Sequence, residues 1–227
     1  TQNVNPDLKW EKKYEYNLGV DYGFLNNRLT GSLEGYVRNT KDLLWWYDVP
    51  TPPYQYDKLL ANAGEMLSYG VELAVTGVAV QKKNVTWTSS LTLAWNENII
   101  TKLSDPSKGF NYTSSPQGNL YGNKFNGSDS YTQILMEGGK VGQFYGYKFL
   151  GFNSKGEWVY EDQYGGPTAK PTAADKKYLG SAQPAVTYGW NNTVRYKNLD
   201  VTVFLRGVIG NKILNATRFM YTPDGTD

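Results

Sequence analysis

The chain has 227 residues, a formal charge of +2, a mean hydropathy of −0.56, and neither Cys nor His. That composition removes disulfides, thiolate and imidazole metal sites, cysteine nucleophiles and Ser-His-Asp catalysis together, and it gives no nucleic-acid footprint. No run of about 20 apolar residues is present, so the chain has no transmembrane helix, a criterion blind to barrels whose alternate strand residues face a wet interior. The 19 Tyr and 7 Trp suit aromatic girdles at a lipid interface or sugar-stacking surfaces. No signal peptide opens the chain, and Thr1 followed by Gln-Asn-Val-Asn-Pro reads as the interior of a longer sequence.

Period-two alternation dominates. Over 13–25, Tyr14, Tyr16, Leu18, Val20, Tyr22 and Phe24 share one face, and Lys13, Glu15, Asn17, Gly19, Asp21 and Gly23 the other. Leu25-Asn26-Asn27-Arg28 supplies a turn, its Asn residues tolerating left-handed backbone. A second strand over 28–40 sets Leu29, Gly31, Leu33, Gly35 and Val37 against Thr30, Ser32, Glu34, Tyr36 and Arg38. Further strands are predicted over 69–80, 84–97, 185–196 and 199–209, with tight turns at Lys82-Lys83-Asn84 and Lys197-Asn198. In each, apolar residues alternate with polar or small ones.

Strands of this length, against about five or six residues in ordinary globular proteins, match the roughly 9–11 a tilted membrane-spanning strand needs. Three connections are tight, and two are long, about 42–67 and 99–184. Short turns at one end and long loops at the other are the signature of an antiparallel transmembrane β-barrel, with periplasmic turns and extracellular loops. Everything between 99 and 184 must then begin and end outside. Within it, Tyr145–Phe152 and Glu157–Asp162 are expected to form an extracellular hairpin turning at Asn153-Ser154-Lys155-Gly156, because Lys148 would compromise a membrane strand. The fold class is all-β, about six wall strands of a barrel.

Several stretches carry a resemblance. They are Asn5-Pro6-Asp7-Leu8-Lys9-Trp10-Glu11, Gly23-Phe24-Leu25-Asn26-Asn27-Arg28, Asn39-Thr40-Lys41-Asp42-Leu43-Leu44, and Asn62-Ala63-Gly64-Glu65-Met66 with Gly70-Val71-Glu72. Trp95 to Leu103, Tyr145 to Gly151, Gly180 to Pro184, and Phe204-Leu205-Arg206-Gly207 with Gly210-Asn211 complete the series. In order and position the set resembles the SusC/RagA family of TonB-linked outer-membrane proteins of Bacteroidetes, over most of the chain. Ser68 stands where the family pattern has Asn, and the acidic run that many relatives carry before Gly180 is depleted here, so calcium is left open. The resemblance implies a barrel of about 22 strands, filled by a plug, energised by the TonB complex through a TonB box, and covered by a SusD-like surface lipoprotein. Plug and TonB box are not expected within these residues. Its cargo would be oligosaccharides or peptides, with aromatic loops leaning toward glycans.

Two residue sets are candidates for function. Trp45, Trp46, Tyr47, Tyr54 and Tyr56 crowd the first long loop around Pro50, Pro52 and Pro53, as ligand-stacking platforms or as girdle and packing anchors. Glu34, Arg38, Glu72, Arg195 and Arg206 fall on the lumen face, lining the substrate path, holding the plug, or pairing with one another. Tyr112, Tyr121, Phe125 and Tyr131 are expected in a mobile second loop. No nucleotide loop, metal cluster or nucleophile motif points to an enzyme. Two other classes stay open: a soluble β-sandwich carbohydrate-binding module, whose core also hides an apolar face, and a passive porin with the same wall but no plug.

Overall fold

A computed structural model describes residues 2–106, 109, 112–120 and 131–221. In chain order it contains β1 (Lys12–Phe24), β2 (Leu29–Asp48), β3 (Lys58–Lys82), β4 (Val85–Lys102), β5 (Ser114–Asn119), β6 (Tyr131–Met136), β7 (Gln143–Gly146), β8 (Phe149–Phe152), β9 (Trp158–Glu161), β10 (Pro167–Thr168), β11 (Lys177–Ser181), β12 (Val186–Tyr196), β13 (Leu199–Ile209) and a short helix α1 (Ala216–Tyr221). One unit, residues 1–112 with 184–210, holds a six-stranded antiparallel sheet in the order β1-β2-β3-β4-β12-β13. The other unit, 113–183 with 211–227, holds a four-stranded sheet β11-β7-β6-β5 and a three-stranded sheet β10-β9-β8.

The register turns each strand's alternation into rows across the sheet. Val20, Leu33, Leu73, Leu93, Tyr188 and Gly207 stand directly opposite one another in sequence from β1 to β13. Tyr22, Gly31, Val75, Leu91, Trp190 and Leu205 form a neighbouring row. Between them lies the polar row Asp21, Ser32, Ala74, Thr92, Gly189 and Arg206. Two glycines on the apolar face serve close approach. A Cβ on Gly31 would stand 2.4 Å from the Tyr22 hydroxyl, and one on Gly207 2.5 Å from the Tyr188 hydroxyl, so each tyrosine ring lies over the neighbouring strand's bare backbone.

The tight turns fall where the alternation places them. Leu25, Asn26 and Asn27 are all left-handed, with φ of 57°, 54° and 61°, as is Lys197 at 52°. Two expectations need correction. The first long connection is 49–57 rather than 42–67, because β2 and β3 run to Asp48 and from Lys58. The pairing jumps from Thr40–Met66 to Leu43–Gly64 and then to Leu44–Asn62, with Asp42 at φ 58°. Such bulges insert unpaired residues and erase the period-two signal, leaving Leu43-Leu44-Trp45-Trp46 to read as an apolar run. The span between β4 and β12 is likewise no simple loop. The expected hairpin exists as β8 and β9, but Tyr145 belongs to β7 and pairs with Tyr178 of β11 in the other sheet.

A charge on the apolar face should be far more damaging than one on the polar face. Val20→Arg and Leu33→Arg are expected to destabilise the full-length protein by about 2–4 kcal/mol near a bilayer midplane, with Asp21→Arg and Thr30→Arg much milder. Urea unfolding in lipid vesicles measures this; equal effects from the two sets would mean that the faces are misassigned.

Candidate functional site

The polar face carries the charged candidates, and the register sorts them. Arg38 bonds Glu15 on β1 at 2.9 Å, and Arg195 bonds Asp200 across the β12–β13 hairpin at 2.8 Å. Both pairs are partly or largely exposed, so solvent screens them and neither is a strong source of stability. Glu34 and Glu72 stand directly opposite on β2 and β3, an unfavourable like-charge pair. They line a groove of about 310 Å³ together with Ser32, Thr92, Phe204 and Arg206. The structure thus brings Glu34, Glu72 and Arg206 to one depression and sets Arg38 and Arg195 in local pairs.

The aromatic candidates lie beyond this groove, at the end of β2 and β3 opposite the tight turns. Because Trp45, Trp46 and Tyr47 are consecutive in a strand, they separate onto two faces. Tyr47 pairs with Leu59 and Trp45 with Ala61. On that side Tyr47, Leu59, Ala61 and Ala63 form a buried cluster, with Trp45, Val49, Tyr54 and Tyr112 packed around it. Tyr47 is fully buried, its hydroxyl donates to the Leu103 carbonyl at 3.1 Å, and its ring meets Tyr112 edge-on at 5.1 Å. Trp46 faces the other way beside Leu60 and is 45% exposed. Tyr56 is half-buried.

Sequence reasoning missed what holds this tip. Asn62 is buried, and its side chain accepts from the Lys9 amide at 2.9 Å while donating to the carbonyls of Lys9 at 2.8 Å and Asp42 at 2.7 Å. Lys9 also pairs with Asp42 at 3.0 Å. Asn3 donates to the Tyr56 and Lys58 carbonyls at 2.6 and 2.8 Å, and Asn5 to that of Leu60 at 2.9 Å. The segment before β1 is therefore strapped to β3 by side-chain amides. Three of the stretches quoted above, those containing Asn5, Asp42 and Asn62, meet at one amide. The available signal was an asparagine amid the small and apolar residues of a strand.

In the second unit Glu161 and Asp175 are occupied internally. Glu161 receives Lys148 at 2.6 Å and Lys177 at 2.7 Å, which hold its carboxyl below the usual range. Asp175 accepts from the Thr172 amide at 2.6 Å and the Gln163 amide at 2.8 Å, bonds that lower its pKa as well. Among the described residues no group of three or more Asp or Glu is placed to hold a metal. Tyr131 opens β6 and is 40% exposed, while Tyr121 and Phe125 lie outside the described residues.

The two faces of the tip should respond differently. Tyr47→Ala is expected to loosen it by about 3–5 kcal/mol, the range for truncating a buried aromatic, and Trp46→Ala by less than about 1 kcal/mol. Hydrogen exchange over 43–64 in the full-length protein reads this directly. Equal protection in the two variants would contradict the burial pattern.

Comparison with known proteins completes the assignment. The family model described as TonB dependent receptor-like, beta-barrel matches residues 1–209. TonB-dependent receptor P3 of Formosa agariphila is 30% identical over 96% of this chain and 22% of its own length. TonB-dependent receptor SusC of Bacteroides thetaiotaomicron is 30% identical over 92% of this chain and 20% of its own. The solved RagAB peptide transporter superposes with a TM-score of 0.72 at 26% identity, covering 91% of this chain and 22% of that one. The chain thus spans about a fifth of the length of the curated relatives it matches. The sandwich reading falls away, since the open six-stranded sheet corresponds to part of a barrel. The chain belongs to the TonB dependent receptor-like β-barrel family, as wall of an outer-membrane barrel of the SusC/RagA type.

Proposed function

We propose that this chain is part of an active importer of large nutrients, energised by the TonB complex and working with a SusD-like surface lipoprotein. The observation that carries the reading is the two-faced six-stranded wall matched to the receptor family over residues 1–209. Oligosaccharides are the favoured cargo. Trp46 supports them, offering an exposed ring at a strand tip that the buried Tyr47 next to it holds in place. A flat ring stacks on a sugar with little loss of rotamer freedom. Peptides are the second reading, supported by the likeness to a peptide transporter and by the Glu34, Glu72 and Arg206 groove, which offers both charge signs.

Uptake by cells carrying the full-length protein tests the proposal. Deleting TonB should abolish import of the cognate oligomer, whereas persistent uptake would indicate a passive porin. Trp46→Ala should weaken ligand capture by about 1–3 kcal/mol, the scale of a well-packed aromatic contact, at normal barrel abundance. Unchanged capture would remove Trp46 from the ligand path.

A further inference from the structure

On the apolar face, Gly35 differs from Gly31 and Gly207. Its φ is not left-handed, and an added Cβ would meet nothing closer than the Gly70 carbonyl at 3.9 Å. Neither backbone conformation nor close packing calls for glycine, and no tyrosine covers it. What the missing side chain does is open a groove of about 450 Å³, with Gly35 as its floor and Tyr16, Leu18, Val37, Tyr69, Val71 and Trp95 as its walls. Tyr69 and Trp95 brace each other edge-on at 5.7 Å.

Following the same face along β1 and β2 toward the long-loop end, the next rows are Tyr16–Val37, Tyr14–Asn39 and then Lys12–Lys41. Asn39 marks the change from apolar to polar. Lys12 and Lys41 are exposed, stand directly opposite each other, and have no carboxylate partner among the described residues. Two ammonium groups directly opposite each other on adjacent strands repel unless an anion sits between them. From Gly35 to Lys41 is six residues, about 20 Å along the strand. On a strand tilted by about 40° this is about 15 Å along the membrane normal, the depth of one leaflet's hydrocarbon.

We infer that this face binds a phosphorylated lipid of the outer leaflet, its phosphate between Lys12 and Lys41 and an acyl chain in the groove floored by Gly35. The groove is continuous with the surface that meets lipid, which fixes an acyl chain as its occupant, and the lysine pair selects lipids with a net negative head. The site lies on the opposite face from the charged groove and plays no part in cargo capture.

The test is native mass spectrometry of the full-length receptor in detergent, titrated with dipalmitoyl phosphatidate, dipalmitoyl phosphatidylcholine or inorganic phosphate. Phosphatidate should be retained about thirty-fold better than phosphatidylcholine, the scale of two lysines acting on an anionic head. Lys12→Gln with Lys41→Gln should erase that preference. Gly35→Leu, whose Cβ would meet nothing closer than 3.9 Å, should reduce retention of both lipids while the barrel stays folded by heat-modifiability on gels. Phosphatidate retention unchanged in either variant would overturn the inference, as would retention of inorganic phosphate equal to that of phosphatidate.

Discussion

A backbone amide inside hydrocarbon has no water to bond, so every N–H and C=O of a membrane wall must be paired with a neighbouring strand. That requirement fixes register, and register fixes which side chains meet lipid, because a slip of one residue would send a whole strand's apolar set to the other face. The six-stranded sheet satisfies this through continuous antiparallel ladders, thirteen pairs long between β1 and β2 and eleven between β12 and β13. The tyrosines laid over Gly31 and Gly207 add side-chain locks that a shifted register would break. Strands β1 and β13 are the two open edges, which a closed barrel of this family pairs.

The constraint relaxes toward the end of the wall opposite the tight turns, and the structure changes character there. Paired bulges around Asp42 let β2 and β3 continue past the ends of β1 and β4, and the tip acquires a small buried core of its own around Tyr47. A soluble-type core in the wall of a membrane protein makes sense where lipid no longer supplies the apolar surroundings. The strap held by Asn3, Asn5 and Asn62 contributes polar bonding to the same tip through side chains.

The central strands were legible because nothing interrupts their period. Residues 13–25, 185–196 and 199–209 were predicted to within about one residue of β1, β12 and β13. The upper halves of β2 and β3 were not, since bulges break the alternation and Ala61 and Ala63 carry little hydrophobic signal. Proline at 50, 52 and 53 marked the real turn, but the aromatic residues before it read as part of the loop. The charged candidates could be assigned to a face but not to partners. That Arg38 meets Glu15 while Arg206 joins Glu34 and Glu72 depends on which strands are neighbours, and β12 follows β4 across more than eighty residues of sequence.

The central claim is that alternation along the strands separates lipid from the barrel interior. The chain contains no cysteine, so single cysteines can be placed at Ser32, Leu33, Glu34, Gly35, Tyr36 and Val37 of the full-length protein, with any cysteine elsewhere replaced, and spin-labelled in a bilayer. Collision rates with oxygen, which concentrates in hydrocarbon, should be high at 33, 35 and 37 and low at 32, 34 and 36, with a water-soluble nickel chelate giving the opposite order where the interior is open to water. A flat profile, or one in which the even positions meet oxygen, would contradict the two-faced wall.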